Sequence, residues 1–125
     1  MEKKEDLQSL IIQFQQLQEQ FESVATTRTQ MELQLRETEN AYQEVEKIDE
    51  KAPLYKAVGG LMVRAKSKMD VLKELVEKKE SLQVRVESLK KQEKSIEEML
   101  KKLSTEIQEK IRMSQIGGEQ GPMAG

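Results

Sequence analysis

The 125-residue sequence contains no cysteine, no histidine and no tryptophan, and only 3% of it is aromatic. Without cysteine there is no disulfide, thiolate ligand or thiol nucleophile. Without histidine there is no imidazole to bind a metal or move a proton near neutral pH. No metal and no cofactor are therefore expected. A compact core needs large apolar side chains arriving from many directions, and this chain has few. No apolar run approaches the roughly 20 residues that a bilayer span requires. The charged, glutamine-rich N-terminal stretch lacks the apolar heart of a signal peptide. The expectation is a cytoplasmic protein with no membrane contact.

What is present is charge, 35% of all residues, with a net charge of -2. Long helices and coiled coils share this profile. The balance is uneven along the chain. Residues 1–51 carry 6 basic and 12 acidic side chains, whereas residues 52–125 carry 15 basic and 11 acidic. The acidic half complements the basic half, which favours folding one against the other or against a neighbour's opposite half.

Apolar residues recur at alternating steps of three and four. The first seam passes through Leu7, Leu10, Phe14, Leu17, Phe21, Val24, Arg28, Met31, Leu35, Thr38, Tyr42 and Val45. The second passes through Leu72, Leu75, Lys79, Leu82, Val86, Leu89, Glu93, Ile96, Leu100, Leu103, Ile107 and Lys110. A heptad period sustained this long predicts coiled-coil helices, each on the order of 60 Å long at 1.5 Å per residue. Pro53 is expected to stop the first helix, and Ser67 with Asp70 to cap the start of the second.

Folding the chain about Gly59-Gly60 brings together positions whose numbers sum to about 120. Arg28, the charge in the first seam, then faces Glu93, a charge of opposite sign in the second. An unmatched seam charge costs several kcal/mol, while a matched pair roughly breaks even and fixes register. Arg28 and Glu93 are the predicted register pair.

Between the seams lies LYKAVGGLMVRA. Two strand-length segments flank a Gly-Gly pair, which permits the positive φ of tight hairpin turns. The predicted fold class is mainly α, a long antiparallel coiled-coil helical hairpin with a β-hairpin inserted between the helices. The expected divisions are helix 1–51, β-hairpin 52–66, helix 67–116 and a disordered, glycine-rich tail 117–125. A two-stranded hairpin is marginal alone in water and offers two unpaired edges. Leu54, Tyr55, Val58, Gly59, Gly60, Leu61, Met62 and Val63 are thus the predicted oligomerisation element.

A helix, then APLYKAVGGLMVRAKSKMDV, then a Lys/Glu-rich helix resembles a prefoldin beta-type subunit. The resemblance covers about residues 7–113 and is most specific at Tyr55–Val58–Gly59 and Leu61–Met62–Val63. The single short insert looks like the beta type, since the alpha type carries two hairpins. The resemblance implies an assembly of two alpha-type and four beta-type subunits, with a β-barrel platform made of hairpins and coiled coils hanging from it. It implies ATP-independent capture of unfolded client proteins at the coiled-coil tips and transfer to a group II chaperonin.

The tip has its own signature. Residues 7–18, LQSLIIQFQQLQ, contain no charged side chain. Leu10, Ile11 and Ile12 are consecutive, and one seam cannot bury all three. The second seam turns polar opposite them at Lys110, leaving Leu7 and Leu10 without good apolar partners. Leu7, Leu10, Ile11, Ile12, Phe14, Leu17, Ile107, Ile111 and Met113 are the predicted contacts for unfolded polypeptide. An exposed apolar patch usually marks a contact site, and flexible methionine suits an adaptable one.

No catalytic residue is expected. The Glu and Lys residues read as solvated helix faces with i,i+4 pairs, and Gly59-Gly60 lacks the Lys-Ser/Thr of a phosphate-binding loop. Lysine pairs at 90–91 and 101–102 alternate with Glu and have no interleaved aromatics, so no nucleic acid is expected either. The alternative is a passive coiled-coil scaffold or spacer in another assembly, which would bury its ends or bind one partner stoichiometrically.

Overall fold

In a computed structural model the elements run α1 (Leu7–Glu46), β1 (Tyr55–Val58), β2 (Leu61–Arg64) and α2 (Lys68–Gln120). The structure describes residues 6–120, and of residues 116–120 the backbone alone. The predicted class is the observed one: two long helices with a two-stranded antiparallel β-hairpin between them. Among the described residues, no helix is long and apolar enough to cross a membrane.

The helices form where the heptads place them. All twenty-four seam positions named above are buried or half-buried. Among the described residues, the buried ones, Leu10, Thr38, Leu82, Val86 and Ile96, all lie on the seams. Thr38 is the polar one among them, and its hydroxyl donates to the Gln34 carbonyl at 2.8 Å, so no donor is stranded.

Helix ends are capped locally. Asp6 Oδ1 accepts the Ser9 amide at 2.8 Å at the start of α1, and Ser67 Oγ accepts the Asp70 amide at 3.1 Å at the start of α2. α1 stops at Glu46, well before Pro53 is reached. A turn takes over there, with Asp49 Oδ1 accepting the Lys51 amide at 2.9 Å, the local competition that makes aspartate a helix breaker. At the other end, the α2 backbone continues through Gln120, past the expected limit at 116. The remainder of the expected tail, 121–125, lies outside the described residues.

The chain falls into two compact units, residues 1–26 with 90–125, and residues 27–89. The first joins the beginning of α1 to the end of α2. The second contains the rest of both helices and the hairpin. Within it Lys79 lies 3.4 Å from Glu39 across the two helices. Also within it, the Lys68 ammonium donates to the carbonyls of Glu46 and Ile48, both at 2.8 Å. These are orphan acceptors at the C-terminal end of α1, where a cation is favoured.

Candidate functional site

Each unit leaves an apolar surface uncovered. In residues 27–89 it is the β-hairpin. Its register pairs Tyr55 with Arg64, Lys56 with Val63, Ala57 with Met62 and Val58 with Leu61, closing on a two-residue loop. Gly59 has a φ of 63°, and the positive value at the first central residue alone is the mark of a type II′ turn, whose twist suits a right-handed ribbon. Strand alternation puts Leu54, Lys56, Val58, Leu61, Val63 and Ala65 on one face. Leu61 is 70% exposed and Met62, on the other face, 69%. Tyr55, Val58 and Val63 are also exposed, while Leu54 is half-buried.

In the unit formed by 1–26 and 90–125, the nine predicted contact residues divide. Ile11, Ile12, Ile111 and Met113 are exposed, with Ile12 at 47% and Met113 at 67%. Leu7, Phe14, Leu17 and Ile107 are half-buried seam residues. Leu10 is only 1% exposed, the most fully buried large side chain described. The expectation that Leu10 lacks apolar cover is therefore corrected. A polar residue in the facing seam does not by itself leave the seam open: Lys110 is itself half-buried, and a long lysine side chain carries an apolar stem. The uncharged run still exposes Ile11 and Ile12, because a seam buries one stripe and these two positions fall beside it.

The seam charges Arg28 and Glu93 belong to different units. Arg28 Nη1 pairs with Glu32 Oε1, one turn further along α1. Among the described residues there is no group of three or more His, Cys, Asp or Glu that could hold a metal ion.

A helical pair with an uncovered hairpin is a distinctive combination, and comparison with known proteins gives it a family. The sequence profile described as Prefoldin subunit matches residues 8–114. The chain belongs to the prefoldin subunit family. The prefoldin subunit beta of Archaeoglobus fulgidus is 44% identical over 102 residues, covering 82% of this chain and 87% of the relative. That of Thermoplasma volcanium is 39% identical over 104 residues, covering 83% and 84%. The crystal structure of the prefoldin beta subunit from Thermococcus strain KS-1 superposes with a TM-score of 0.75 at 36% identity, covering 82% of this chain and 90% of that one.

Two contacts of this prefoldin subunit escaped the sequence reading. One is the Lys68 bond pair to the end of α1. A signal existed: a lysine opening a long helix opposes the helix dipole, so its ammonium has reason to go elsewhere. The other joins Lys56 to Glu74 Oε1 at 2.7 Å, from strand β1 to helix α2. Its signal was a lysine standing on the hairpin's apolar face.

Proposed function

We propose that this prefoldin-family chain is a subunit of an ATP-independent molecular chaperone that captures unfolded polypeptides and passes them to a group II chaperonin. The observation that carries the reading is the exposed set Ile11, Ile12, Ile111 and Met113, in the unit that holds the start of α1 and the end of α2. Ile11 and Ile12 lie in a stretch without formal charge, so a client's apolar segments would meet no fixed charge along residues 7–18. Such contacts are unselective, which suits varied clients. Each buried side chain would contribute about 1.5–3 kcal/mol, offset by ordering of the flexible client. Several tips acting together would gain by avidity, and each could be surrendered in turn to a competing receptor without nucleotide.

The hairpin supplies the multimer in this reading. Its exposed Tyr55, Val58, Leu61, Met62 and Val63, with two open edges, would pair with hairpins of alpha-type subunits and of further copies of this chain, in a complex of two alpha and four beta subunits in the cytoplasm.

The function is tested by the variant Ile11→Ser, Ile12→Ser, Ile111→Ser, Met113→Ser, mixed with an alpha-type partner and a chemically denatured client. Assembly by light scattering is expected to be intact and suppression of client aggregation lost. Undiminished suppression refutes the assignment.

A further inference from the structure

Of the eight residues in the two strands, seven are exposed, and the one that is half-buried is a lysine. Lys56 pairs across the ribbon with Val63, on the face that also carries Val58 and Leu61. Lysine is a poor strand former, and a solvated lysine on an edge strand is a common guard against unwanted pairing. That role does not account for Lys56, whose side chain is drawn in to Glu74, the seventh residue of α2. Leu54 and Ala65, on the same face nearer the root, are half-buried too, and the Ala65 amide donates to the Leu54 carbonyl at 2.8 Å. This face is therefore covered from the root as far as Lys56 and open beyond it.

Lys56 and Glu74 side chains are 39% and 53% exposed. A pair so accessible to water adds little to stability, so its consequence is geometric. Lys68, bound to the end of α1, fixes the root of the insert. Lys56 adds a second point of attachment, between the strand and the flank of α2.

We propose that the Lys56–Glu74 pair is a positioning contact that sets the direction in which the hairpin leaves α2, and so the geometry at which Val58, Leu61 and Met62 meet a second subunit. This rests on the reading of the hairpin as the assembly surface. The pair acts through the hairpin and need not touch the partner.

The cysteine-free chain permits clean labelling. Spin labels at Ala57→Cys and Glu77→Cys, in full-length chain diluted with unlabelled chain, report the hairpin-to-α2 distance. A narrow distribution is expected in the parent, a broad one in Lys56→Met and in Glu74→Met, and a narrow one again in the charge swap Lys56→Glu with Glu74→Lys. Association with the alpha-type partner should weaken by about three- to fivefold in each single variant and recover in the swap, with helix melting unchanged throughout. An unaltered distribution in Lys56→Met, or a swap no better than Lys56→Met and Glu74→Met, overturns the proposal. Full assembly of Val58→Asp with Leu61→Asp overturns the underlying reading of the hairpin instead, whatever the distances do.

Discussion

The helical seams and the β-hairpin handle apolar side chains in opposite ways. Along the seams every apolar residue is at least half covered by the chain itself. On the hairpin, Val58, Leu61 and Met62 stand in water although they are as apolar as Leu82 or Val86. The difference lies in what each element can find within one chain. A helix with a heptad stripe needs only one similar helix, and this chain supplies it. A two-stranded ribbon has two faces and two edges, and helices already engaged with each other cannot cover them. In the proposed reading the covering comes from other chains, which would make the hairpin the element of assembly while the seams are satisfied within the chain.

That contrast can be broken most severely at the hairpin. Val58→Asp with Leu61→Asp should abolish assembly by sedimentation while leaving far-ultraviolet helix content unchanged; loss of helix instead would mean that the hairpin belongs to the core. Next in size is the seam. Leu82→Ala should cost about 2–5 kcal/mol in thermal or denaturant unfolding. Val84→Ala, two residues away and 69% exposed, should stay within about 0.5 kcal/mol. The hairpin turn comes third. Gly59→Ala places a side chain at φ 63° with no atom within 4 Å to obstruct it, so the penalty is that of the positive-φ backbone alone, about 1–3 kcal/mol. Gly60→Ala, equally unobstructed and without a positive φ, should be neutral or slightly stabilising. Last is Lys68→Met, expected to lower stability by about 1 kcal/mol through the Glu46 and Ile48 carbonyls that lose their donor, read as a small fall in melting temperature.

The fold was legible because its signals are periodic. A three-four alternation running through Leu7 to Val45 and Leu72 to Lys110 has one structural meaning, and LYKAVGGLMVRA has a turn signal at its centre. Less legible were features decided by single side chains reaching across elements. Helix α1 stops early, at Glu46, where Lys68 reaches back from the start of α2 to the Glu46 and Ile48 carbonyls, a contact that no local pattern announces. In the unit that holds the start of α1, Leu10 is buried although the facing seam carries a lysine, so polarity along a seam is a poor guide to cover. Ile11 and Ile12 are exposed for a geometric reason, three consecutive apolar residues against one stripe. Their role with a client is a separate matter that burial cannot decide, since Val84 is more exposed than Ile12 and lies outside that patch.

That last contrast offers the most direct test. A photo-crosslinking amino acid is placed at Ile12 in one assembled sample and at Val84 in another, and each is irradiated with a denatured client. The account predicts client adducts from position 12 and almost none from position 84. Equal yields from both positions would contradict it, since apolar exposure alone, rather than the end of the helical pair, would then govern capture.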